Sequence, residues 1–419
     1  MHRPSVYPPD LARYVEAHWP AEQSLTVPLP LLEEALSTAF QASLTTEEAR
    51  TTRFRLLLTA PQQLPDTGVP NQGVLRLKFD RTRPLTADEL RRLAPAVPFE
   101  TALIAAHPEQ GKLRIWGVAH SGPAWLAPTW GGRSIVPNWT YDPIIHVTAP
   151  GQLAVRCAGQ LIGALERGSL VDAALDVFDS QWLPTMFMRE RTAIQEEHAA
   201  QRARVGSPIS VEHSLIGKVA QQMLRRAIQL VRGARHGGLL LVVDTRSGDS
   251  EPLNGLRLKY SLTRDEPASR YRTLLFQIIE AVAAMTEKES VGWIDFASNQ
   301  SARFEELEQA VFEQSRVLAN LTAIDGALVL DKRFSVLGFG AEVSAELPTP
   351  SRVWRALDTE GHVRQPEDIE NVGTRHRAAY RFVNDHPDGL AVVISQDGGV
   401  SFVANREQQV VFWEQSVSP

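Results

Sequence analysis

At 419 residues the chain exceeds one ordinary domain, and its 43% apolar and 22% charged residues are the balance of a soluble globular protein, not of a disordered or fibrous one. A net charge of −6, with no Lys/Arg-rich arm, provides no basic field for nucleic acid, so DNA is not an expected partner. Cys157 is the only cysteine, which excludes an intrachain disulfide and any multi-cysteine metal site and leaves a buried, inert thiol as its expected role. The opening Met1-His2-Arg3-Pro4 lacks the pattern of a signal peptide, and no apolar run approaches the ~18 residues of a membrane helix. The expectation is a cytoplasmic protein with no membrane association.

In chain order, residues 1–204 are expected to form an N-terminal α+β domain. Leu32, Leu36 and Phe40 at four-residue spacing predict an amphipathic helix over 31–43. Strands are predicted at 53–59 and 74–79, and Thr86 with Glu89 three positions later marks a capped helix start. A strand at 113–118 leads through His120-Ser121 into a segment holding Trp116, Trp125, Trp130 and Trp139, with Gly131-Gly132-Arg133 among them. These rings are read as core and loop filling, with a pocket for a planar or anionic ligand as the alternative. The pair His120-Ser121 has no Gly-x-Ser-x-Gly elbow around it and is not read as a hydrolase site. A further strand is predicted at 153–157, the apolar run 161–165 reads as the start of a helix, and 172–182 as a helix.

A charged helix at 188–204 gives way to Val205-Gly206-Ser207-Pro208, where the domain boundary is expected. The second domain, 205–419, then opens with a helix over 212–232, a Gly237-Gly238 turn and the run Leu239–Val243, short and apolar enough for a central strand. Helices at 269–287 and 303–320 follow, with Arg264 and Arg270 read as solvated. Asp325-Gly326-Ala327 then sets an acid at the mouth of the strand Leu328–Leu330, and Gly326 and Ala327 are expected to let a ligand approach the backbone. Some fifty residues on, Gly373-Thr374-Arg375-His376-Arg377 opens a helix with two arginines and a histidine in its first turn. Free N–H groups, the helix dipole and forked guanidinium donors suit that turn to phosphate. Thr374 is expected at the N-cap, and Arg375 and Arg377, on different sides of the helix, are expected to serve different groups.

These two motifs, in this order and separation, resemble those of the diadenylate cyclase (DAC) domain, over roughly the last 200 residues. The first half is similar to the sensor-type region that accompanies some bacterial DAC domains. The resemblance implies an α/β fold with a central mixed sheet flanked by helices. It also implies condensation of two ATP into cyclic di-AMP and pyrophosphate, with Mg²⁺ or Mn²⁺, across a homodimer of face-to-face domains. By the same resemblance Asp325, Arg375 and His376 are catalytic and Asp325 and His376 are metal ligands, with Asp397 expected as a substitute ligand where the chain departs from the family pattern. Gly326, Ala327, Thr374, Arg377, Ser395 and Leu337 contact the nucleotide, Leu337 by packing on adenine. The N-terminal domain is expected to bind an unidentified small molecule. One departure stands out: where DAC domains have Ser-Glu after an apolar strand, this chain has Ser395-Gln396-Asp397-Gly398. A neutral amide supplies no charge to a metal, so a DAC-derived nucleotide sensor with little or no turnover is the alternative. Asp397-Gly398-Gly399 reads equally as a hairpin turn. No Walker motif and no complete Gly-x-Gly-x-x-Gly is present.

Overall fold

The computed structural model describes residues 6–48, 50–64, 74–133, 140–166, 168–171, 175–204, 209–245, 253–262, 270–286, 288–369 and 372–415. It is a mixed α/β structure that divides into two compact units, residues 6–127 with 140–171, and residues 128–133 with 175–415. Trp139, Arg264 and the linker 205–208 lie outside the described residues. No described helix is long and apolar enough to cross a membrane.

In the first unit the helices are α1 (Pro8–Ala17), α2 (Leu29–Ser43) and α3 (Ala87–Leu93). The strands are β1 (Phe54–Leu58), β2 (Leu75–Pro84), β3 (Ala102–Glu109), β4 (Lys112–His120), β5 (Ile144–Ala149), β6 (Gln152–Cys157), β7 (Gln160–Glu166) and β8 (Ser169–Val171). They form one sheet in the order β8-β7-β6-β5-β1-β3-β4-β2, in which β1 and β3 are parallel and the other neighbours antiparallel. The apolar stripe of α2, Leu32, Leu36 and Ala39, packs on Leu56, Ile104 and Val147. Thr86 caps α3 by accepting the Glu89 N–H at 3.2 Å. The run 161–165 belongs to a strand, not a helix. Ala158 (φ 47°) and Gly159 (φ 83°) close a two-residue hairpin between Cys157 and Gln160, and two positive φ values in such a loop match the twist of paired strands.

The second unit begins before the boundary expected at 205. Residues 175–187 form a 3₁₀ turn (Val177–Asp179) and a short helix (Trp182–Met186) in place of the helix expected over 172–182. Asp176 causes that difference: its carboxylate accepts the Phe178 N–H, binds Arg225 at 2.7 Å and accepts from Gln415 at 2.9 Å, which holds the chain in a turn. Helix α4 (Met188–Arg204) coincides with the charged stretch, and α5 (His213–Ala234), α6 (Arg270–Ala284) and α7 (Ala302–Leu321) follow the periodicity read from the sequence.

The strands of this unit are β9 (Gly238–Val243), β10 (Leu256–Arg257), β11 (Tyr260–Ser261), β12 (Ala327–Asp331), β13 (Val336–Val343), β14 (Val353–Ala356), β15 (Arg364–Glu367), β16 (Leu390–Ile394), β17 (Val400–Arg406) and β18 (Gln409–Gln415). The sheet order is β10-β13-β12-β9-β16-β17-β18-β14-β15, with β11 also on β13. All six residues of β9 are buried. Leu240 and Val242 face a core with residues of α5, α6 and α7, whereas Leu239, Leu241 and Val243 face Ala379, Tyr380 and Phe382 of α8 (Thr374–Asp385). A strand covered on both faces has no polar side, which is why this stretch reads as an unbroken apolar run. Leu241 is 0% exposed, so Leu241→Ala is expected to cost about 2–5 kcal/mol in urea denaturation; a loss below about 1 kcal/mol would contradict its central position.

Candidate functional site

The register of β9 decides which loops meet. It runs parallel to β12, with Leu240 opposite Leu328, and antiparallel to β16, with Gly238 opposite Ile394. The start of β12, the start of β9, the end of β16 and the start of β17 therefore share one edge of the sheet. The Asp325 loop and the Ser395–Gly399 turn lie on that edge two strand spacings apart, roughly 10 Å. The first turn of α8 reaches it as well. Arg375 donates from Nη2 to the His236 carbonyl at 3.1 Å, and His376 Nε2 lies 3.4 Å from the Ser401 hydroxyl.

Local geometry explains each arrival. Gly237 has φ 66°, and a Cβ there would lie 2.7 Å from Arg375 Nη1 and 2.9 Å from the Ile394 carbonyl, so only glycine lets this guanidinium settle at the strand start. Gly373, not Thr374, is the N-cap of α8 and makes no side-chain cap bond. Its first-turn N–H groups are thus left for another acceptor. Thr374 and Arg377 are exposed, Arg375 and His376 half-buried. Ser395–Gly399 is the predicted hairpin: Gly398 N–H bonds the Ser395 carbonyl at 3.0 Å, and Ser395 N–H bonds the Gly399 carbonyl at 2.8 Å. Asp397 is exposed and accepts the Gly399 N–H at 3.1 Å.

Three expectations need correction. Gly326 (φ 113°) does not clear space for a ligand, because a Cβ there would meet the Gly340 carbonyl carbon at 2.5 Å; the glycine admits a neighbouring strand. Ala327 is buried with Ala379 and Val329 in the core under α8. Leu337 packs on that core too, and with Val336 paired to Leu330 it lies toward the other end of β12 from Asp325. Asp325 itself is exposed.

Sequence reading missed Arg232, in the last turn of α5, whose Nε donates to the Gly398 carbonyl at 2.9 Å and ties the helix to the hairpin. Its only signal was a basic residue in a helix C-terminal turn.

Among the described residues no three His, Cys, Asp or Glu side chains converge to hold a metal. Asp325, Asp397 and His376 are therefore not assembled into a closed ligand set within one chain. The donors at this edge, one exposed carboxylate at Asp325 and the hairpin side chains, are oxygen donors of the kind a hard cation takes, too few to complete its shell without further ligands.

In the first unit, Ser121 serves Arg55. The guanidinium donates to Ser121 Oγ at 3.0 Å and lies 4.1 Å from the Trp125 ring centre, and burial lowers its pKa to about 9 while Glu100 raises it. Trp116, in the core, donates to the Thr59 carbonyl at 2.8 Å, and the half-buried Trp125 to the Glu100 carbonyl at 2.9 Å. Arg133 lies within the second unit, bound to Glu308 at 3.0 Å and to the Phe296 carbonyl at 3.2 Å, so Gly131-Gly132-Arg133 is a structural anchor. Cys157 is buried, and burial first, then Asp142, push its thiol pKa up to about 11, as expected of an inert thiol.

Residues 23–120, from before α2 to the end of β4, match the family described as "Probable sensor domain DACNV". The chain thus carries an N-terminal sensor-type domain. No curated protein matches the chain.

Burial holds the His376 pKa below 6.5, against smaller opposing pulls from Glu414 and Asp397. Below pH 6.5 the unfolded state therefore binds the proton more readily than the folded state, and stability falls as pH drops toward the folded pKa. Wild type is expected to lose more stability than His376→Gln over that window in urea titrations, and parallel curves would refute the burial of this ring.

Proposed function

We propose that this chain is a diadenylate cyclase, condensing two ATP into cyclic di-AMP and two pyrophosphates, with the first unit as its sensor. The observation that carries this reading is the meeting, at one sheet edge, of the Asp325 loop, the Ser395–Gly399 hairpin and the first turn of α8. The match to a sensor domain of the kind associated with diadenylate cyclases supports it independently.

On this reading Arg375, bonded to the His236 carbonyl beside Gly237, and the first N–H groups of α8 bind the phosphates of the chain's own nucleotide. Arg377 and Thr374, exposed on the same turn, face the second nucleotide. His376, held neutral by burial, serves as a hydrogen-bonding group rather than a fixed cation. Asp325 is the carboxylate for Mg²⁺ or Mn²⁺, which when bound neutralises phosphate charge and lowers the pKa of the attacking hydroxyl. Each new bond joins the 3′-oxygen of one ATP to the α-phosphorus of the other as pyrophosphate leaves. Two such steps close the ring, so a homodimer must bring two sites face to face.

A second reading, a nucleotide sensor without turnover, draws on Gln396, whose side chain carries no charge at the hairpin tip. The two separate by experiment. Purified protein with ATP and either cation is expected to yield cyclic di-AMP by mass spectrometry, and Asp325→Asn to lower the yield by at least ~100-fold. Binding of ATP or cyclic di-AMP with no product from wild type, but product from Gln396→Glu, would favour the sensor.

A further inference from the structure

At the opposite edge of the same sheet, where β9 and β12 end, lies a cavity of about 240 Å³ between the start of α4, α5, α6 and the turn after β12. Ligands in open α/β sheets commonly sit outside the carboxyl ends of parallel strands, and this is that end. One wall is aromatic: Phe187 stacks on Phe334 with ring centres 5.4 Å apart, and Tyr271 meets Phe334 edge-on at 5.3 Å.

Some polar groups of this cavity keep unmet bonding capacity, although Lys332 is paired with Asp244 and Ser214 with Glu212. The Tyr271 hydroxyl is buried, in a residue only 4% exposed, and has no hydrogen bond among the described residues. Glu190, 8% exposed, gives Oε1 to Arg189, but its buried Oε2 accepts nothing among the described residues. Arg191, next on α4, makes no ion pair or side-chain hydrogen bond among the described residues. Its guanidinium lies across α5 at Gly217, where a Cβ would come within 2.8 Å of Cζ. Glycine is a poor residue for the interior of a helix, and here its missing side chain makes room for that cation. Buried donors and acceptors without partners are uncommon, and two of them beside the half-buried Arg191 guanidinium, around one cavity, point to a ligand that satisfies them.

We propose that this cavity is a second ligand site, separate from the nucleotide edge, for a small zwitterion with a flat apolar body. Its acidic group pairs with Arg191 and accepts from Tyr271, its donor bonds Glu190 Oε2, and its body lies against Phe187 and Phe334. The volume, below the roughly 300–1,000 Å³ of drug-sized pockets, suits a molecule much smaller than a dinucleotide. Occupancy would join the first turn of α4 to α5 and α6. The site does not depend on the cyclase reading.

L-phenylalanine, phenylacetate and phenethylamine are suitable probes, titrated calorimetrically into the full chain. L-phenylalanine is expected to bind, with each truncated analogue at least ~10-fold weaker, because each leaves a buried group unsatisfied. Arg191→Met should weaken binding at least ~10-fold. Gly217→Ala keeps every charge and improves helix propensity, so it should fold and still lose affinity as Arg191 is displaced. Tyr271→Phe should weaken binding without lowering the urea midpoint, since the hydroxyl it removes makes no bond in the free protein. Absence of binding by L-phenylalanine, equal binding of either analogue, or unchanged affinity in Arg191→Met and Gly217→Ala would overturn the proposal.

Discussion

The burial of β9 on both faces is the constraint on which the second unit depends. Six consecutive buried residues require helices above and below and strands on either side, so α5, α6 and α7 cover one face, α8 the other, and β12 and β16 flank it. Burying a Val or Leu side chain is worth about 1.5–3 kcal/mol, and a shift of one residue would exchange the two faces of the strand. Register is therefore strongly specified. With it fixed, the loops before β12, before β9 and after β16 must emerge together, whatever their own sequences prefer.

The two edges of this sheet differ in chemistry because they differ in what the backbone offers. The edge where β9 and β12 begin has turns built on Gly237, Gly326 and Gly398 and the first turn of α8, with Arg232 and Arg375 bonded to backbone carbonyls. Such an edge offers N–H donors and positive charge to an anion. At the other edge, Asp244 binds Lys332 at 3.0 Å and Arg189 at 2.6 Å, which accounts for two of the local cations. Arg191 is left over, beside aromatic rings. One strand pair thus separates an edge rich in N–H donors and arginines from an amphipathic cavity.

Most helices and strands of the second unit were legible because their apolar spacing is regular, as at Leu215, Val219 and Met223 of α5. The candidate site was legible only as motifs, and the structure adds which of them share an edge. What escaped reading was tertiary in origin. Gly326 looked like room for a ligand, but its space belongs to Gly340, a residue with no local signal of that pairing. The strand at 161–165 was hidden because five apolar residues carry no period that separates helix from strand, and the Ala158-Gly159 turn that decides the matter was overlooked. The start of the second unit was misread because Asp176 finds Arg225 and Gln415, far along the chain. No sequence rule joins Arg191 to Gly217.

The exposure of Asp325, Thr374 and Arg377 bears on the proposed reaction. An enzyme that completes its chemistry within one subunit is expected to bury its reacting groups, since exclusion of water strengthens their electrostatics. A reaction between two nucleotides held by two subunits reverses that expectation: each half-site must present its groups outward and become enclosed only when the halves meet. On the proposed reading the half-buried Arg375 and His376 would act on the nucleotide of their own chain, and the exposed Arg377, one residue on, would serve the partner's. Asp325 would be screened from water only in that closed pair. On this argument the sensor domain need not touch the chemistry to control it. Any ligand that alters how readily two second units come face to face changes the rate at which both bonds form.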